Sequence, residues 1–177
     1  MSPRWLSLLF ASTVALSAAV GRADERCRAP DGRGGELVTC FMLNNGVFGE
    51  TGGHMTAATV LGQRTKNTLE GRDAQAHGYP IRLSNLLAEL QGAAYVARGA
   101  VNTSVNVNRT KKMIQRALEV QRQWLGFSFV EILTMCPTGW FIDTADAPEY
   151  LADKVGAVHT MGVLKDVALG IGTESSA

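Results

Sequence analysis

The feature that most constrains this chain is the run Leu37-Val38-Thr39-Cys40-Phe41-Met42-Leu43, which is apolar almost throughout and of strand length. Strict alternation would mark a strand with one wet face, whereas a near-continuous run marks one covered on both faces, as in a parallel sheet between helices. The run stops at Asn44-Asn45-Gly46, a turn signal. Residues 94–97 and 127–133 supply two further apolar runs that read as strands. Between them, residues 107–125 form the best helix pattern, with Ile114, Ala117, Leu118 and Leu125 on one side. A short helix is predicted over 85–91, capped by Ser84, closed by Gly92 and presenting Leu86, Leu87 and Leu90 as its apolar stripe. This order predicts an α/β fold, a mostly parallel sheet flanked by helices. In such sheets ligands bind outside the carboxyl ends of the strands, which singles out the loops after Leu43 and after Leu133.

With 177 residues, 46% of them hydrophobic, the chain can bury one sizeable core. A net charge of +1 gives no positive field for phosphate backbones, so nucleic acid is not an expected partner. Cys27, Cys40 and Cys136 form no CxxC pair and no disulfide framework, which suits a reducing compartment. Against that, Arg4 precedes an apolar stretch from Trp5 to Val20 and Gly21-Arg22-Ala23 follows, a signal-like pattern too short to span a membrane. Residues 24–35 carry charges, Pro30 and glycines without apolar period and read as a linker. The expected organisation is a signal-like leader and linker over 1–32, then an α/β domain over 33–177.

Residues 44–82 are rich in glycine and lack helical period, and loops of that length are usually functional. They open Asn44-Asn45-Gly46-Val47-Phe48-Gly49-Glu50-Thr51-Gly52-Gly53-His54. An Asn amide oxygen and a backbone carbonyl are hard ligands that suit Mg²⁺, while a Thr hydroxyl and glycine N–H groups suit a diphosphate. Asn-Gly on its own reads as a plain hairpin turn.

The whole string changes that reading. A buried strand ending in Asn-Asn, then Gly-Val-Phe-Gly, then Thr-Gly-Gly, resembles the β subunit of the 2-oxoacid:ferredoxin oxidoreductases, with Phe48, Glu50 and His54 where that family usually has Tyr, Met and Gln. The likeness continues through Gly62-Gln63-Arg64-Thr65, Gly71-Arg72-Asp73, Gly78-Tyr79-Pro80 and Arg109-Thr110-Lys111-Lys112. It ends in Gly126-Phe127-Ser128-Phe129-Val130-Glu131 and Cys136-Pro137-Thr138-Gly139-Trp140.

The resemblance implies a thiamine-diphosphate-binding fold, incomplete at its N-terminus, that takes part in oxidative decarboxylation of a 2-oxoacid to an acyl-CoA, with electrons passed to ferredoxin. It implies that the Asn45 side chain and the Val47 carbonyl ligate Mg²⁺, and that Gly46, Phe48, Thr51, Gly52, Gly53 and His54 line the cofactor. The family's acidic ligand lies in an upstream Gly-Asp-Gly, and the matching interval here reads Ala15-Leu16-Ser17-Ala18-Ala19-Val20. The alternative reading is therefore a non-catalytic remnant or assembly subunit. The activating glutamate comes from an α-type partner subunit in this family, so no catalytic residue is assigned within the chain. Related β subunits use a Cys at the place of Cys136 as the distant ligand of an iron-sulfur cluster; one thiolate cannot hold a cluster that needs four, and a small buried residue at a strand end is the plain alternative.

An enzyme of this kind works in the cytoplasm without a membrane, which makes the signal-like leader accidental. Val47, Phe48, Met55 and Val60 are expected to face the partner subunit. His77 and His159 are expected to be structural or superficial, and Arg109, Lys111, Lys112 and Arg116 to form a solvated helix face.

Overall fold

The computed structural model describes residues 37–172; the leader, the linker and Cys27 lie outside them. β1 (Thr39–Asn44), β4 (Ala93–Ala100), β5 (Phe127–Leu133) and β6 (Gly162–Asp166) form one sheet in the order β1-β5-β4-β6. β5 pairs in parallel with both β1 and β4, and β6 closes the far edge antiparallel to β4. β2 (Val47–Phe48) and β3 (His54–Met55) make a separate hairpin. The three parallel strands end flush, Asn44 and Ala100 both opposite Leu133, so their carboxyl ends share one edge. The expected α/β class and mostly parallel sheet are what the chain forms.

Between β3 and β4 run α1 (Ala74–His77) and α2 (Leu83–Ala88); α3 (Ser104–Arg122) connects β4 to β5. Beyond β5 come α4 (Pro137–Trp140) and α5 (Ala147–Tyr150), the latter running on through a π turn at Leu151–Val155 to Gly156–Val158. α2 covers one face of the sheet, packing Leu87 on Ala93, Val96 and Phe129. α3 covers the other, packing Ala117 and Val120 on Tyr95, Ala97, Val130 and Ile132. A third apolar cluster sits past the carboxyl edge, where Val47, Ala100, Leu133, Trp140, Leu151 and Val155 meet.

Five expectations need correction. β1 is not covered on both faces: Phe41 and Leu43, which pair beside Val130 and Ile132, remain 42% and 71% exposed because α3 lies over β4 and β5. Ser84 is not a helix cap; α2 starts one residue before it, and its hydroxyl is buried in a side-chain network. Only Leu87 of the three-leucine stripe is buried: the helix ends at Ala88 with Glu89 as its cap rather than running on to Gly92, and at under two turns it sets one leucine against the sheet. α3 begins three residues before the expected start because the Thr103 side chain accepts from Asn106 N–H, and it ends before Trp124, whose φ of 60° turns the chain left-handed. Leu118 is exposed, and Val120 takes the core place expected of it.

Candidate functional site

The chain leaves β1 through two successive Asx turns. Asn44 Oδ1 accepts from Gly46 N–H at 2.9 Å, and Asn45 Oδ1 accepts from Val47 N–H at 3.1 Å. Gly46 takes φ 67°, which a side chain rarely tolerates. Its carbonyl is gripped by Thr59 Oγ1 at 2.6 Å and by Gln63 Nε2 at 3.2 Å. The Asn45 carbonyl accepts from Trp140 Nε1 at 2.7 Å. The two N–H groups of the bend are thus held locally by Asn side chains, and the two carbonyls are tied to distant parts of the chain.

The hairpin turn falls at Gly49–Gly53 rather than at the Asn-Gly pair. Gly52 N–H donates to Gly49 O and Gly53 N–H to Phe48 O, both at 2.9 Å, so these two groups are engaged within the turn. The Thr51 hydroxyl donates to Phe48 O and lies 3.1 Å from His54 Nδ1. Lys66 lies across the turn: its N–H donates to Gly53 O, and a Cβ on Gly52 would fall 3.0 Å from its Nζ. The sequence reading missed Lys66, since an isolated Lys in a loop carries no pattern.

The loop after β5 packs directly on this turn. A Cβ on Gly139 would come within 2.9 Å of both Cys136 Sγ and Val47 Cγ2, and one on Gly53 would meet Gly139 Cα at 3.3 Å. The two glycines let the loops after β1 and β5 touch backbone to backbone at the carboxyl edge. Cys136 is half-buried against the third apolar cluster. Among the described residues no three His, Cys, Asp or Glu side chains come together as a metal or cluster site.

Beneath the bend lies a buried network. Glu131 Oε1 accepts from Asn44 Nδ2 at 2.6 Å; its Oε2 accepts from Arg98 Nε at 2.7 Å and from the Ser84 hydroxyl. Arg98 and Glu131 are each 1% exposed. Burial pushes the Glu131 carboxyl up, but Arg98 and the three hydrogen bonds outweigh it and hold the pKa below the usual 4.5. A charge inside the apolar strand Phe127–Leu133 was the signal for such a pair.

Of the three histidines, His77 caps α1 by accepting from Asp73 N–H. His159 is fully buried and bonded through Nε2 to Ala58 O, with Nδ1 lacking a partner. Arg72 donates to six backbone carbonyls, at Thr56, Ala57, Thr59, His77, Gly78 and Tyr79, which explains why Gly71-Arg72-Asp73 and Gly78-Tyr79-Pro80 go together. Arg116 does not lie on a solvated face with Arg109, Lys111 and Lys112: it forms a bidentate pair with buried Asp166. Val47 and Val60 are core residues, 5% and 2% exposed, so of the four side chains expected to face a partner only Phe48 is markedly exposed. A groove of about 520 Å³ lies apart from the loop, between Val60, Tyr79, Arg82 and Lys154. No helix among the described residues is long and apolar enough to cross a membrane.

The donor set fits one part of a Mg²⁺–diphosphate site. Asn45 Oδ1 keeps a free lone pair, and the buried Gln63 Oε1 beside Gly46 has no donor. These are neutral, hard oxygens, and Lys66 adds a cation at the turn. The carboxylate that Mg²⁺ favours is not among them.

The loops after β1 and β5 thus meet at the carboxyl edge of an open, mostly parallel α/β sheet, the edge at which sheets of this class bind ligands. The chain is 36% identical over 121 residues to ketoisovalerate oxidoreductase subunit VorA of Methanothermobacter thermautotrophicus, a match covering 68% of this chain and 25% of that protein. VorA of Methanothermobacter marburgensis matches to the same extent. The 2-oxoglutarate synthase subunit KorB of Archaeoglobus fulgidus is 32% identical over 117 residues, 66% of this chain and 39% of KorB. The chain therefore spans between a quarter and two fifths of the length of these relatives, whose names all carry a 2-oxoacid enzyme. No family profile matches the chain. No solved structure matches it.

Proposed function

We propose that this chain is part of the thiamine-diphosphate-binding β-type subunit of a 2-oxoacid:ferredoxin oxidoreductase. The observation that carries the reading is the contact, at the carboxyl edge, of the Asn44–Gly53 loop with the Cys136–Trp140 turn, in a chain related to VorA and KorB. The Asn45 amide oxygen and the Val47 carbonyl would be Mg²⁺ ligands, and Thr51, His54 and Lys66 would lie at the diphosphate. The missing negative ligand would come from outside residues 37–172. Bound there, thiamine diphosphate supplies the electron sink for decarboxylation of a 2-oxoacid. The chain's own part is to hold the metal and diphosphate: Glu131, Gln63 and Trp140 fix the bend, Val47 and Trp140 close its inner side to water, and Lys66 balances phosphate charge. Activity belongs to a complex with an α-type subunit, coenzyme A and ferredoxin, with the iron-sulfur cluster, to which Cys136 could give one thiolate, held mainly elsewhere.

A second reading, a non-catalytic assembly subunit, is favoured by the engagement of the carboxylate beneath the bend, Glu131, with Asn44, Ser84 and Arg98, and by the lack among the described residues of any three His, Cys, Asp or Glu side chains grouped to hold a metal. Co-expression with an α-type subunit separates the two. The expected result is a complex that reduces ferredoxin only with a 2-oxoacid, coenzyme A, Mg²⁺ and thiamine diphosphate all present. A stable complex without any such turnover would favour the second reading.

A further inference from the structure

We infer that Glu131 is a positioning residue for the Asn45 bend and acts through Asn44; the inference rests on the reading of Asn45 as a metal ligand. An amide side chain can present either its NH₂ or its oxygen to a neighbour, and the two orientations would build different turns. An ionised carboxylate only accepts. Facing Glu131 Oε1 at 2.6 Å, Asn44 must point its NH₂ inward and its Oδ1 outward, where Oδ1 takes the Gly46 N–H. That bond starts the double Asx turn that aims the Asn45 amide, and Thr59, Gln63 and Trp140 then clamp the two carbonyls.

Three donors converge on the two Glu131 oxygens: Asn44 Nδ2, Arg98 Nε and the Ser84 hydroxyl. Arg98 is independently held by Thr160 O and Asn85 Oδ1. A simple strand-to-strand ion pair between Arg98 and Glu131 would need no Asn44. Glutamine at 131 offers one accepting oxygen to the same three donors, so Asn44 loses its partner or flips, and either event unsets the turn.

The test uses the full chain, with Glu131→Gln and Asn44→Ala as variants and Arg116→Gln as a control that breaks an ion pair at the other edge of the sheet. In the chain without cofactor, amide hydrogen exchange at Gly46 and Val47 should quicken about fivefold or more, the equivalent of one lost hydrogen bond, relative to Val96 and Val130 in the core. In the assembled oxidoreductase, calorimetric titration with Mg²⁺ and thiamine diphosphate should show affinity falling about 10- to 100-fold for both variants, the range found for residues that orient ligands. The control should leave both readouts unchanged. Exchange that rises equally at Val96 and Val130 would make the network merely structural and overturn the inference. So would a loosened loop with undiminished affinity while Asn45→Ala loses affinity. If Asn45→Ala binds like the parent chain, the metal reading itself falls and the positioning role goes with it; the exchange data still report whether Glu131 sets the bend. Asn44→Ala carries the test should Glu131→Gln fail to fold.

Discussion

The two halves of the candidate site are built differently. Residues 44–47 are bonded to Thr59, Gln63, Glu131 and Trp140, which lie on three separate segments, and Asn44, Gly46 and Val47 are buried. Residues 49–54 bond mostly to one another, with Lys66 and the Gly53–Gly139 contact as their ties to the rest, and most of them are exposed. A metal ligand must be held within a few tenths of an ångström, so a rigid first half is what ligation requires. A turn that meets a flexible, hydrated phosphate can afford to adjust.

The comparison breaks most visibly where the buried half is cut. Glu131→Leu leaves the Arg98 guanidinium buried without its carboxylate, and the expected loss is about 3–5 kcal/mol in denaturant unfolding. A loss under about 1 kcal/mol would place Glu131 among ordinary surface charges. Trp140→Phe keeps the ring in the third cluster but strips the Asn45 carbonyl of its donor; the expected cost is about 1–3 kcal/mol by thermal unfolding.

The buried half also sets an acid limit. Burial holds His159 neutral by lowering its pKa below 6.5, so the unfolded chain binds the proton first and stability falls as pH drops below that value. Glu131, with a lowered carboxylate pKa, adds stability that is complete above 4.5 and is lost as pH falls below it. Unfolding midpoints against pH should therefore decline in two stages, and His159→Gln should remove the first. The smallest effect on folding belongs to the exposed half. Lys66→Ala should stay within about 0.5 kcal/mol of the parent chain while weakening pyrophosphate binding. Unchanged pyrophosphate affinity would remove Lys66 from the diphosphate site.

The sequence made some of this legible and hid the rest for identifiable reasons. β5 lies at 127–133 as expected, because its apolar run is bounded by Gly126 and Pro137. β6 escaped notice, since Gly162-Val163-Leu164-Lys165-Asp166 is short and half polar; Lys165 snorkels to Leu90 O and Asp166 is paired by Arg116. The apolar run of β1 gave the strand but not the exposure of Leu43, which depends on where α3 lies. At the site, Asn44 and Asn45 are alike in sequence. Only the strand's alternation separates them, turning Asn44 toward Glu131 and leaving Asn45 at the mouth of the bend. Gln63 and Arg72 sat in motifs without any hint that they clamp carbonyls, because such contacts arise from loops that meet only in three dimensions.

Asn45 is the residue on which the reading turns, and its substitution by alanine gives the most direct measurement. Mg²⁺-dependent thiamine diphosphate affinity should be measured on the assembled complex for the parent, Asn45→Ala and Asn44→Ala, beside the melting temperature of each. The expected result is the largest affinity loss at Asn45→Ala, with a stability cost of only about 1 kcal/mol for the one Asx bond removed. Asn44→Ala should lose less affinity and more stability, because its amide is a buried strut. Equal, small changes in affinity at both positions would contradict the assignment of Asn45 as a metal ligand.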